Sequence, residues 1–191
     1  MKKGRLEAFS DGVLAIILTI MVLEMKIPHG SGMIALKPLI PVFVSYILSF
    51  IYIGIYWNNH HHLVSTLEEV SGGILWANLH LLFWLSIVPF ATGWMGENHF
   101  TAETLAFYGF ILLMCAIAYT ILQYTIIQHN KSSVLSAAIG KDLKGKASAL
   151  LYLIAIPAAY FAEWLSGGLY VLIALIWLIP DRRIERQVKK E

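Results

Sequence analysis

Long apolar runs, separated by short clusters of charge, glycine and proline, set the pattern of this chain. Six runs stand out, at about residues 5–25, 36–59, 73–95, 103–128, 147–165 and 168–180. Most approach the roughly 20 apolar residues that a helix needs to cross a bilayer. The runs are continuously apolar rather than alternating in segments of about ten, so the pattern predicts helices and not barrel strands. Breakers mark the joins. Lys26-Ile-Pro28-His-Gly30-Ser-Gly32 ends the first run, and Pro38 and Pro41 open the second, where the missing N–H costs little. The expected fold is an all-α membrane protein of six transmembrane helices. No connector is long enough to hold a soluble domain, so residues 1–191 read as a single transmembrane unit.

Composition agrees with the pattern. Of the 191 residues 58% are hydrophobic and only 14% are charged, well short of the roughly one quarter charged in soluble domains. The net charge of +2 conceals an asymmetry. With six spans, the termini and the loops after spans two and four share one side, and that side carries twelve of the fourteen lysines and arginines. Only Lys26 and Lys37 fall opposite. Positive residues stay inside, so both termini are expected in the cytoplasm of a cell-membrane protein. The basic tail, Asp181 to Glu191, reads as a solvated topology anchor before it reads as a lipid-binding element. The single cysteine, Cys115, sits among Leu113, Met114 and Ile117 and excludes an intrachain disulfide framework. The first run has no small-residue cleavage site and reads as mature structure rather than a signal peptide.

Chemistry concentrates at the start of the first span. Arg5, Glu7, Ser10 and Asp11 lie in or beside its first two turns, and charge inside a membrane helix is costly enough to mark a functional or assembly site. Arg5 can extend to the interface, whereas Asp11 needs a partner. Arg5, a buried histidine and a tryptophan N–H are the candidates. Beyond Asp11 the span is aliphatic, and Gly12, Ile16, Thr19 and Leu23 share one face, with Ile20 beside them. That face is a packing seam in a lone subunit. Gathered around a symmetry axis it would form a pore with an aliphatic neck and a ring of hydroxyls. At the end of the second span Trp57 precedes His60, His61 and His62, whose directions differ by about 100° per residue, too far apart to hold one metal ion together. Asn78 and His80 in the third span are expected to join helices by hydrogen bonds. Filter, voltage-sensor, nucleotide-binding, hydrolase and nucleic-acid signatures are absent, so neither an enzyme nor a nucleic-acid partner is expected.

The run Arg5-x-x-x-Phe9-Ser10-Asp11, its continuation from Gly12 to Leu23, and Trp57-x-x-His60-His61 resemble the transmembrane protein 175 family of organellar and prokaryotic potassium channels. The resemblance implies homotetramers of a six-helix subunit, with the first helix lining the pore and no re-entrant filter loop. It implies that Ile16 forms the hydrophobic constriction and that Thr19 supplies the hydroxyl ring tied to potassium preference. Ile20 and Leu23 become further pore-facing positions. Arg5, Phe9, Ser10 and Asp11 become a network packing the first helix against Trp57 and one of His60, His61 and His80. The partners would be K⁺, held only in passing, and the lipid bilayer, with no cofactor and no structural metal. The alternative is a proton-coupled or proton-conducting transporter working through Asp11 and the membrane-level histidines.

Overall fold

The computed structural model describes residues 2–30, 32–67, 69–130 and 142–178. Among them are six α-helices: α1 (Lys3–Leu23), α2 (Ile40–Ser65), α3 (Gly72–Glu97), α4 (Ala102–Asn130), α5 (Leu143–Ala158) and α6 (Glu163–Leu178). The basic tail from Asp181 and the lysines at 131 and 141 lie outside the described residues. The first four helices are each long and apolar enough to span a bilayer. At 21 residues α1 extends about 32 Å, close to the hydrocarbon thickness. Helix α5 has 16 residues, or about 24 Å, and falls short of it, and α6 is described over 16 residues.

Several boundaries differ from the expected spans: α2 runs to Ser65, six residues past the expected end, and α5 starts at Leu143, four residues early. A 3₁₀ segment, Met33–Leu39, leads into α2, which starts at Ile40 rather than near residue 36. Pro38 and Pro41 lack the N–H groups that would continue an α ladder backwards from α2. The fifth run does not continue to 165. Pro157 stands at the end of α5, and short-range bonds from Tyr160 N to Pro157 O and Phe161 N to Ala158 O tighten the chain into a turn. Helix α6 then starts at Glu163, five residues before the glycine where composition places it. Hydropathy is blind to this break because the turn is itself aromatic: Tyr160, Phe161 and Trp164 are 62, 90 and 80% exposed.

Helices α2, α3 and α4 form the centre. Helix α1 packs on α2 and α3 at one flank, and the α5–α6 hairpin closes on α2 and α4 at the other. Burial follows helical spacing. On α4, Leu105, Tyr108, Leu112, Cys115, Ala118, Leu122 and Ile126 are all essentially inaccessible. On α1, Leu6, Ser10, Leu14, Ile17 and Met21 are buried at steps of four, four, three and four residues. The outward faces carry bare Phe43, Phe50, Trp76, Phe83 and Phe90. Water would not tolerate so continuous an apolar surface, and lipid does.

Lipid offers no hydrophobic drive between helices, so close packing and hydrogen bonds must hold them. Both are present. The hydroxyls of Tyr108, Ser49 and Thr92 form a chain with steps of 2.9 and 2.7 Å that ends on the Val88 carbonyl, joining α4, α2 and α3. The Tyr52 hydroxyl donates to the Tyr170 carbonyl at 2.6 Å, and the Tyr170 hydroxyl donates to the Leu105 carbonyl at 3.0 Å. Glycine permits the closest approaches. A Cβ at Gly96 would stand 2.7 Å from the Val42 Cα and 2.5 Å from the Ser45 oxygen, and one at Gly109 would overlap the Tyr170 ring. At the ends, Lys3 Nζ donates to the Ser65 carbonyl at 2.6 Å, and Lys26 pairs with Glu97 at 2.6 Å. The Glu97 carboxylate pushes the Lys26 pKa above its ordinary value, but both groups are well exposed and the pair adds little.

Gly96→Val is expected to separate α2 from α3 and lower stability by about 1–3 kcal/mol, the usual cost of overpacking. Thermal unfolding in detergent measures it, with Gly12→Ala, whose added Cβ meets open space, as the near-neutral reference.

Candidate functional site

Two hydrogen-bonded branches fasten the first two turns of α1 to its neighbours. The inner branch is dry. The Ser10 hydroxyl donates to the Leu6 carbonyl at 2.9 Å, and its oxygen accepts from the Asn78 amide nitrogen at 3.0 Å. The Asn78 carbonyl oxygen lies 2.7 Å from His60 Nε2. Asn78 has committed its N–H to Ser10, so its oxygen can only accept, and the imidazole proton belongs on Nε2. Ser10, Asn78 and His60 are at most 1% exposed. His60 Nδ1 is buried with no partner.

The outer branch is half exposed. Trp57 Nε1 donates to Asp11 Oδ1 at 3.0 Å, and the Trp57 ring stacks on His61 with centroids 6.5 Å apart. His61 Nδ1 in turn meets Glu7 Oε1 at 2.9 Å. Of the three partners open to Asp11, the tryptophan N–H takes the role.

His60, His61 and His62 divide as helical geometry requires: the first is buried, the second exposed, and the third lies between. His80 stands apart from both branches. Its Nε2 accepts from Trp84 Nε1 at 3.0 Å, one turn along the same helix. His60 and His61 are therefore the histidines that reach the Ser-Asp motif, His60 through Asn78 and His61 through Trp57 and Glu7. Arg5 and Phe9 are exposed on the subunit surface and join neither branch. The residue that sequence reasoning undervalued is Asn78. An asparagine in so apolar a helix must satisfy its amide internally, and that demand was the available signal.

The rest of α1 is bare on one side. Gly12, Ile16, Thr19, Ile20 and Leu23 are all exposed, with Ile16 at 58% and Leu23 at 79%, while Leu14, Ile17 and Met21 on the opposite side are buried. The Thr19 hydroxyl donates to the Ile16 carbonyl at 2.9 Å, which leaves its oxygen lone pairs facing outward. A groove beside this face is lined by Val13, Ile16, Ile20, Phe90, Trp94 and, at its outer end, Glu24.

These features define a multi-pass α-helical membrane protein whose first helix is fastened at one end and uncovered along the remainder. Residues 5–89 match the family model described as the endosomal/lysosomal potassium channel TMEM175. A protein named as a potassium channel in Chryseobacterium sp. (strain P1-3) is 56% identical over 191 residues, the full length of both chains. The crystal structure of a lysosomal potassium-selective channel TMEM175 homolog from Chamaesiphon minutus superposes with a TM-score of 0.80 at 28% identity, covering 94% of this chain and 97% of that one. A Gallus gallus protein named as an endosomal/lysosomal proton channel, TMEM175, is 32% identical over 103 residues, which is 48% of this chain and 21% of that protein. The chain belongs to the TMEM175 family, whose members are ion channels and not enzymes.

Asn78→Leu is expected to destabilise the fold by about 2–4 kcal/mol, because Ser10 and His60 each lose a partner in a dry site. Trp57→Phe, at a half-exposed bond, is expected to cost about 1 kcal/mol. Unfolding midpoints in detergent order the two variants, and equal losses would contradict the assignment of the inner branch as the principal joint.

Proposed function

We propose that the protein is the subunit of a potassium channel that assembles as a homotetramer, with the bare face of α1 turned to the central axis. The observation that carries this reading is the two-sidedness of α1. One side is spent on packing, and the other holds Gly12, Ile16, Thr19, Ile20 and Leu23 uncovered. A lone six-helix subunit encloses no path along that face, and closed rotational symmetry supplies one. The names of the Chryseobacterium relative and of the Chamaesiphon structure support potassium as the permeant ion.

In this arrangement four Ile16 side chains form an aliphatic neck that resists wetting and acts as the gate. Thr19 follows three residues later, about 4.5 Å along the axis. Its hydroxyl donates back to Ile16, so four outward-facing oxygens meet an ion that has shed part of its water at the neck. Leu23 widens the aliphatic path, and Glu24 adds negative charge near its outer end. Glu7, Ser10, Asp11, Trp57, His60, His61 and Asn78 hold the inner end of α1 so that the four necks stay in register, and Arg5 and Phe9 face the neighbouring copy. We place both termini in the cytoplasm and the channel in the cell membrane, on the distribution of lysine and arginine.

A proton-conducting reading draws on the name of the vertebrate relatives and on the unpartnered His60 Nδ1. The geometry favours it less. The chain from His60 through Asn78 and Ser10 terminates on a backbone carbonyl, and an amide in its middle passes no proton onward.

Ile16→Asn is expected to raise potassium flux into liposomes several-fold by wetting the neck, and Thr19→Val to lower the preference for K⁺ over Na⁺. Unchanged flux and unchanged preference in both variants would remove these residues from the ion path. Light scattering of the detergent complex is expected to return four copies of the 21.4 kDa chain.

A further inference from the structure

A second cavity lies on the far side of the subunit from α1. It measures about 500 Å³, within the range of ligand sites, and is enclosed by α2, α4, α5 and α6 toward their inner ends. Its walls are mostly apolar and aromatic, with Tyr56, Ile117, Ala149 and Tyr152 among them. The packing of the helices does not require such a space, and the channel reading makes no use of it.

Two observations say what the cavity would hold. The first is Gln123. Its side chain lines the cavity, is only 8% exposed, and makes no hydrogen bond in the described structure. The amide atoms open onto the cavity, so their four hydrogen-bonding positions are available to a polar group held there. Gln123 stands seven residues before Asn130, about 10 Å of helix from the inner end of α4. That depth matches the ester carbonyls at the top of an acyl chain, not the bilayer centre.

The second observation is charge at the mouth. Lys146 lines the opening and is exposed, and the Lys144 ammonium lies 5.9 Å from the centre of the Trp177 ring, another wall residue. Among the described residues the one acidic wall group is Asp142, whose carboxylate accepts from Gly145 N at 3.1 Å and caps α5. That leaves the exposed Lys146 ammonium at the mouth, at the level where lipid headgroups lie.

We propose that this cavity is a site for an anionic phospholipid. One acyl chain fills the apolar interior between α4 and α5. The Gln123 amide donates to an ester carbonyl, and Lys146 takes the phosphate. The occupant reaches the site from the inner leaflet, whose anionic lipids already favour basic surfaces. The site is separate from the pore face, so the proposal stands or falls independently of the ion that the channel conducts.

Native mass spectrometry of the full chain, released from nanodiscs with equal phosphatidylglycerol and phosphatidylcholine, tests it. Retained phosphatidylglycerol is expected to exceed phosphatidylcholine at least fivefold. Lys146→Glu, an exposed change that leaves folding intact, is expected to abolish that preference. Ala149→Trp fills the cavity and is expected to remove the retained lipid altogether. Gln123→Leu keeps the shape and loses the amide, and is expected to retain several-fold less lipid at unchanged headgroup preference. Equal retention of both lipids by the unaltered protein would overturn the proposal. So would undiminished phosphatidylglycerol in both Lys146→Glu and a folded Ala149→Trp.

Discussion

The amide of Asn78 is the joint on which the placement of α1 depends. It hydrogen-bonds both the buried serine of α1 and the buried histidine of α2, from its own position on α3. All three side chains are buried from bulk solvent, so losing this bond leaves two or three unmet polar groups. That asymmetry makes a modest bond decisive. It fixes the rotation of α1 about its axis: once Ser10 faces inward, Leu14, Ile17 and Met21 must follow, and Gly12, Ile16, Thr19 and Leu23 must face out. The Asp11–Trp57 pair, half exposed, sharpens the same rotation but could not set it alone.

The remaining frame obeys the same constraint. Helices in lipid gain nothing from hiding carbon, so small residues and hydroxyls carry the association. Gly96 lets α3 lie on the backbone of α2, Gly109 seats the Tyr170 ring, and the Tyr108–Ser49–Thr92 chain ties three helices. Helix α5 is shorter than the bilayer is thick, and an exposed aromatic turn at Phe161 and Trp164, residues that favour the interface, joins it to α6.

Much of this was legible in the residues because lipid imposes simple rules. Span length, helix type and the singular start of α1 follow from apolar runs and from the cost of charge in hydrocarbon. The motif pointed to Trp57 and left open which of His60, His61 and His80 stands with it; the hydrogen bonds run to Trp57, His60 and His61. Other features were not legible for physical reasons. Nothing in hydropathy distinguishes a turn built from Tyr160 and Phe161 from the helix around it, so the fifth span ran on too far. His80 looked equivalent to His60 as a titratable group in an apolar helix; only the rotation of α3 turns it toward Trp84 and turns Asn78 toward Ser10. The cavity beside Gln123 is a property of four helices together and leaves no trace in any one of them.

The central claim is that the uncovered face of α1 is uncovered because it lines the ion path and not because it meets lipid. Exposure alone does not decide this, since Ile16 is 58% exposed in the subunit and Trp76, on the outer face of α3, is 75% exposed. Single cysteines decide it, because the native Cys115 is fully buried, out of reach of a charged reagent. Reconstituted channels carrying Ile16→Cys, Leu23→Cys or Trp76→Cys are treated with a charged, membrane-impermeant thiol reagent while potassium current is recorded. The account predicts block at Leu23→Cys and Ile16→Cys, and no effect at Trp76→Cys. Full current in both α1 variants after treatment, with mass spectrometry showing neither cysteine modified, would place this face in lipid and contradict it.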